Sequence, residues 1–173
     1  MDNQSNKDVD GGIILKFSKE EVIGLEFKVL KKAEVIDDIH TRQQIDNIWS
    51  KYAYLQHVDF YREVNIYMPD DDYFICSFSG EEMMGFAAIT LDARNKRGDL
   101  LWFVVDKENA KGFSNKSLLD KVIEFCRTKG MKTLSWTCLD ASWRNVNNKE
   151  KIFKRFGYNP TVYDDGDMEL NLE

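Results

Sequence analysis

The sequence predicts one α+β domain built on a mixed, mostly antiparallel sheet, and three observations carry that expectation. Tyr73 to Phe78 and Met84 to Leu91 are apolar runs joined by Ser79-Gly80-Glu81-Glu82, which is the pattern of a hairpin. Leu100-Leu101-Trp102-Phe103-Val104-Val105 is apolar at every position, as a central strand covered on both faces should be. An amphipathic helix and an alternating run follow it, and strand, helix and strand in that order form a right-handed parallel crossover. A chain of 173 residues with 43% hydrophobic and 13% aromatic content is long and apolar enough for one sizeable core.

Taken in order, MDNQSNKDVDGG is polar and lacks the apolar stretch of a secretory signal, so residues 1–12 are expected to be a flexible tail and 13–173 the domain. Ile13 to Phe17 predicts a short strand, and Val22 to Leu30 a second. From Ile36 to Gln56 the apolar positions Ile36, Ile39, Ile45, Ile48, Trp49, Tyr52 and Leu55 recur mainly at three, four and seven, giving one amphipathic helix or two. Pro69 and Asp70-Asp71-Asp72 break that pattern, and the hairpin follows. The polar stretch DARNKRGD is expected to be the loop before the central strand. A helix is predicted from Ser114 to Lys129. Its buried stripe is Leu118, Leu119, Val122, Ile123, Phe125 and Cys126, and Gly130 suits the position just past the end. Lys132 to Leu139 alternates, with Leu134, Trp136 and Cys138 on one face. A short helix from Asn147 to Phe156 stops at Gly157. Two last strands, Tyr158 to Tyr163 and Met168 to Leu172, flank the turn Asp164-Asp165-Gly166.

Charge and cysteine content narrow the function. Twenty-four Lys and Arg against thirty Asp and Glu leave a net charge of −6, which argues against a surface for nucleic-acid phosphates. No run is long enough to span a membrane. Cys76, Cys126 and Cys138 lie in apolar runs without metal-ligand spacing, so they read as buried thiols of a reducing, cytoplasmic compartment, and no metal is expected.

The chemistry is expected in DKENAKGFSNKS, residues 106–117. There a strand ends, Gly112 permits a tight turn, and a helix begins. Free N–H groups and the dipole at a helix N-terminus form a site for phosphate, and Lys111 and Lys116 add positive charge. Taken alone, the same residues also fit an ordinary strand-to-helix loop. A P-loop is excluded because its glycines would fall at Ala110 and Asn115. The dinucleotide fingerprint G-x-G-x-x-G is absent too.

Leu100 to Gly130 resembles the central motif of the GNAT N-acetyltransferase superfamily, a strand followed by R/Q-x-x-G-x-G/A at the helix start. Here those positions read Asn109-Ala110-Lys111-Gly112-Phe113-Ser114. Ile152-Phe153-Lys154-Arg155-Phe156-Gly157-Tyr158 is similar to the family's L-Y-x-x-x-G-F. The resemblance covers Tyr73 to Leu172. It implies a splayed central parallel strand pair with flanking helices, and acetyl-CoA as cosubstrate. The pantetheine arm would pair with Phe103, Val104 and Val105, and the diphosphate would rest on Asn109, Ala110, Lys111, Gly112, Phe113, Ser114, Asn115 and Lys116. A primary amine, on a small molecule or a peptide, would attack the thioester directly in a ternary complex.

The departures bear on that reading. Asn109 stands for Arg or Gln, and Ser114 for the second Gly or Ala. Phe153 stands where many members carry a Tyr thought to protonate the leaving thiolate, and phenylalanine has no proton to give. The family's helix Asn falls by strict spacing at Val146, between Asn145 and Asn147, and Asn147 is the expected cofactor contact. Asp99, before the central strand, is the candidate general base. His40 and His57 are assigned no role, and Asp70 to Asp72 read as a solvated charge run. Trp102, Trp136 and Trp143 read as core or cleft-wall residues. A second reading is a catalytically inactive acyl-CoA-binding or protein-interaction module on the same fold, and a third is an unrelated α+β domain. Strand edges near the C-terminus offer a surface for a homodimer.

Overall fold

The computed structural model describes residues 6–7, 13–14, 24–52, 58–106, 108, 112–136, 150–151 and 153–173; at 6–7, 13–14 and 112–115 it describes the backbone only. Two short strands, β1 (Asn6–Lys7) and β2 (Ile13–Ile14), pair with each other. The rest of the expected tail lies outside the described residues.

Seven further strands form one sheet: β3 (Leu25–Lys31), β4 (Tyr73–Ser79), β5 (Glu82–Asp92), β6 (Arg97–Val105), β7 (Thr133–Trp136), β8 (Thr161–Val162) and β9 (Met168–Asn171). Their spatial order is β3-β4-β5-β6-β7-β9-β8, and among the described residues the single parallel pair is β6 with β7. The expected mixed, mostly antiparallel sheet is what the chain builds. The crossover from β6 to β7 is helix α4 (Gly112–Thr128), which carries one of the two cores. Its residues Leu118, Leu119, Val122, Ile123 and Cys126 pack on Ile75, Ala87, Ile89 and Leu100 on one face of the sheet. The helix closes at Gly130, whose φ of 78° lets the Met131 N–H reach back to the Cys126 carbonyl at 2.9 Å.

The opposite face is covered by α1 (Lys32–Asp37), α2 (Ile39–Ser50) and α3 (Phe60–Tyr67). Val35, Ile45, Ile48, Trp49, Phe60 and Val64 pack there on Phe74, Cys76, Phe86 and Ala88. Burying one large apolar side chain contributes roughly 1.5–3 kcal/mol, so each layer is held chiefly by such residues. The helical stretch expected over Ile36 to Gln56 is two helices broken at Asp38. Its carboxylate accepts the N–H of His40 and Thr41 at 3.3 and 3.2 Å, which starts α2 afresh; the Thr41 hydroxyl, donating to it as well, is the main cause that holds the carboxyl below its usual range.

Helix α3 was not foreseen. Asp59 caps it by accepting the Arg62 N–H at 3.1 Å, and only Phe60 and Val64 are buried, a pattern too short to stand out in the sequence. Strand β3 spans Leu25 to Lys31, and residues 22–23 of the second predicted strand and 15–17 of the first lie outside the described residues.

The polar loop DARNKRGD is the clearest correction. Only residues 93–96 turn; Leu91 pairs with Gly98 and Thr90 with Asp99, so the flanking polar residues belong to the ladder. A Cβ on Gly98 would stand 3.0 Å from the Cys126 sulfur, a close approach that lets α4 lie tight on this end of the hairpin. In the run predicted to follow β7, residues 137–149 lie outside the described residues. Residues 150, 151 and 153–155 are helical, and the turn closes at Gly157, with φ 89° and the Tyr158 N–H on the Phe153 carbonyl at 2.9 Å. The last hairpin pairs Thr161 with Glu169 and Val162 with Met168.

Candidate active site

Among the described residues, strands β6 and β7 pair at three positions: Arg97 with Thr133, Gly98 with Leu134, and Asp99 with Ser135. Beyond Asp99, β6 runs on along β5 to Val105, whereas Trp136 of β7 pairs with Met168 of β9. Among the described residues the sheet therefore forks after Asp99, with β6 continuing toward Val105.

A β-bulge stands beside the fork. The β5 register steps from Ala88 opposite Trp102 to Ile89 opposite Leu100, so Leu101 is an extra residue in β6. The side chains record it: Leu100 packs on the α4 side, Leu101 and Trp102 both pack on the α2–α3 side, and Phe103 returns to the α4 side. A bulge bends its strand and strengthens the local twist, which turns the end of β6 away from β7. This explains a run that is apolar at every position: both faces are core, and the alternation slips once.

The aromatic residues line the fork. Phe103 and Trp136 stand on its two arms with ring centroids 5.5 Å apart, and Phe153 lies edge-on to Trp136 at 5.0 Å. Trp102 packs against Trp49 at 4.9 Å, in the other core. The expectation that Trp102 and Trp136 are core or cleft-wall residues agrees with these contacts; Trp143 lies outside the described residues.

At the open end, the Asp106 N–H donates to the Met84 carbonyl on β5 at 2.8 Å. In a trans peptide the C=O and N–H point opposite ways, so the Val105 carbonyl faces the fork. It accepts the hydroxyl proton of Tyr52, which follows α2. Beside it the Asp106 side chain, 1% exposed, accepts the Glu108 N–H at 3.0 Å and pairs with Lys51 Nζ at 2.9 Å. Lys51 also pairs with Glu108 at 3.3 Å, and its pKa is raised, first by the hydrogen bond to Asp106. Lys51 and Tyr52 had no place in the sequence reading. Their partners lie more than fifty positions along the chain, and no local pattern announces such a contact.

Of the residues expected to hold a cosubstrate, Val104 and Val105 are buried and Phe103 half-buried on the arm of the fork. Gly112 is the first residue of α4, with Phe113, Ser114 and Asn115 in its first turn; what is described of these four is backbone. Lys116 pairs with Asp120 one turn on at 2.7 Å, so its charge is shared within the helix. Asn109, Ala110, Lys111 and Asn147 lie outside the described residues, as does Asn145.

Asp99 lies within β6 rather than before it, at the closed end of the fork. At about 3.3 Å per residue it stands roughly 20 Å from Val105. Burial pushes its pKa up, against the opposing pull of Arg97, whose Nε lies 3.0 Å from the carboxylate. The sequence places it correctly near the central strand but misses this partner.

The acidic run is not merely solvated. Asp70 pairs with Lys32 at 3.0 Å, Asp71 with Lys31 at 3.2 Å, and Asp72 is buried. His40 is exposed, and His57 lies outside the described residues. A groove of about 610 Å³ lies far from the fork, between β3, the β4–β5 turn and α2. Its polar groups already serve the fold: Glu34 accepts the Lys31 N–H, Asp38 caps α2, and Lys28 lies over the Phe78 ring. Among the described residues no group of His, Cys, Asp and Glu could hold a metal ion, and no helix is long and apolar enough to cross a membrane.

Solved structures share this architecture. An acetyltransferase from Bacillus subtilis in complex with CoA superposes with a TM-score of 0.59 at 13% identity, covering 86% of this chain and 99% of that one. The ribosomal-protein-S18-alanine N-acetyltransferase of Escherichia coli gives 0.59 at 12% identity, covering 86% and 95%. The aminoglycoside 6′-N-acetyltransferase of Enterococcus faecium gives 0.60 at 11% identity, covering 86% and 97%. No protein-family profile and no curated protein sequence matches the chain.

Proposed function

From the premise that this chain has the fold of the GNAT acetyltransferases, we propose that it is an acetyl-CoA-dependent N-acetyltransferase acting on a primary amine. The observation that carries the reading is the fork: β6 leaves β7 after Asp99, bulges at Leu101, and leads into a helix N-terminus at Gly112. An extended pantetheine arm is assigned to the edge of β6 beyond Asp99, by Phe103, Val104 and Val105. The diphosphate is assigned to the start of α4, whose first N–H groups lack helical partners, with Asn109 to Lys116 as its expected contacts. Asn147 is assigned as a further cosubstrate contact.

In the proposed reaction both substrates sit in the fork together. The amine nitrogen attacks the thioester carbonyl, a backbone N–H polarises that carbonyl, and the C–S bond breaks to release CoA as its thiolate. Asp99 is assigned as the base that takes the amine proton through water; its raised pKa suits a base working closer to neutral pH. The acceptor is a small-molecule or peptide amine, the two kinds named for the aminoglycoside and S18-alanine enzymes of the same fold. The cellular setting is assigned as cytoplasmic, with Cys76 and Cys126 as buried free thiols.

One observation favours a second reading, an inactive acyl-CoA-binding or interaction module. Phe153 is 3% exposed and packed on Trp136, so no hydroxyl stands there to protonate the thiolate.

The test is thermal unfolding with CoA and acetyl-CoA, then thiol release with a panel of amines. Stabilisation together with turnover is expected; a ligand that binds the native state alone must raise its melting temperature. Stabilisation without turnover on any amine supports the module. A flat thermal response at millimolar CoA ends both readings.

A further inference from the structure

We infer that Phe103 and Trp136 form an aromatic bridge across the fork that limits the length of the acyl group, so that acetyl-CoA is accepted and longer acyl thioesters are refused. This rests on the acetyl-CoA reading above and deepens it. Both residues face the α4 side of the sheet, one on each arm of the fork. Their ring centroids are 5.5 Å apart with the planes tilted by 52°, which is direct ring contact.

A hydrocarbon chain lying between two rings needs about 3.5–4.0 Å to each of them. A centroid separation of 5.5 Å is too narrow for that. Trp136 in turn lies edge-on to Phe153 at 5.0 Å, and Phe153 is buried, so the bridge is continued into the α4-side core.

The pantetheine arm is assigned to Phe103, Val104 and Val105, with the diphosphate at the start of α4. Its thiol end then points inward along β6, toward Asp99. An acetyl group ends beside the bridge. A longer chain that runs on along the strands meets the rung where Asp99 pairs with Ser135, and one that turns toward α4 meets the two rings. Shortening either ring opens the way toward α4, because a truncated core site collapses only in part.

The experiment is calorimetry on the full chain with acetyl-CoA and with hexanoyl-CoA, read as the ratio of the two affinities for each protein. The wild-type chain is expected to bind hexanoyl-CoA at least about tenfold more weakly than acetyl-CoA, a discrimination within reach of an apolar pocket. Phe103→Leu and Trp136→Phe shorten the bridge from opposite arms, and each is expected to narrow that ratio by about fivefold or more. Both ligands carry the same CoA, so a general loss of stability cancels in the ratio, and if one variant fails to fold the other carries the test. Phe125→Leu trims a ring of the same core that lies against Tyr73 at 4.8 Å instead of at the fork, and it is expected to keep the wild-type ratio.

Equal affinity of the wild-type chain for the two thioesters overturns the inference while sparing the acetyl-CoA reading. So does a ratio that stays unmoved in a folded Phe103→Leu or Trp136→Phe variant, and so does an equal change in Phe125→Leu. Failure of the wild-type chain to bind CoA or either thioester overturns both.

Discussion

The Tyr52 hydroxyl donates its hydrogen bond to the Val105 carbonyl, the acceptor that faces the open end of the fork. The pantetheine arm is proposed to pair along this edge, so the tyrosine holds an acceptor the arm would use. Tyr52→Phe removes that donor. The ligand-free protein is expected to lose about 1–3 kcal/mol in urea unfolding, the usual cost of a buried acceptor that loses its partner. The melting shift on adding CoA is expected to grow. A smaller shift than wild type would mean that the hydroxyl contacts the ligand instead.

Phe153 offers a second test. Its ring is buried on the α4 side of the sheet and lies edge-on to Trp136. Phe153→Tyr places a hydroxyl in that core. Stability is expected to fall by about 1–3 kcal/mol, with no gain in turnover on any responsive amine. A faster variant would show that the missing acid had limited the rate.

Gly85 lies opposite Val105 at the end of the β5–β6 ladder. A Cβ there would stand 3.0 Å from the Val104 carbonyl oxygen and 3.2 Å from the Val105 Cα, both backbone atoms that move only with the strand. Gly85→Ala is expected to cost about 1–3 kcal/mol, as overpacking does. It should also weaken CoA binding, because the displaced strand is the arm of the fork. Wild-type values in both measurements would contradict this geometry.

Asp72 predicts a pH dependence. Burial raises its pKa above the ordinary 3.8, opposed by the Leu91 N–H at 3.4 Å. The folded state thus binds the proton more tightly than the unfolded one. The contribution to stability is complete below the unfolded pKa and is lost as pH rises through the folded value. Asp72→Asn removes that loss, so relative to wild type it should gain stability between pH 3 and pH 7. A stability difference that stays flat across those pH values would refute it.

Much of the scaffold was legible because it is written in local periodicity. The hairpin of β4 and β5, the stripe of α4 and the glycines closing it at Gly130 and the later turn at Gly157 all follow from patterns within one element. The break at Asp38 was harder, since a capping aspartate inside an apolar periodicity looks like one more exposed polar residue. Asp99 was misread as loop because polar residues at the end of a hairpin resemble a turn, although here they still pair. Lys51 and Tyr52 were invisible for a different reason: a residue that follows one helix acquires meaning only from the strand end folded beside it.

The doubled step at Leu101 and Trp102 has a consequence for how this protein can change. On either side of it, β6 counts its faces in opposite phase. Sliding the strand by one position would turn Phe103 toward the helices that Trp102 now meets and expose each core to the wrong partner. The depth of the cleft is thus locked by an off-by-one in a single strand.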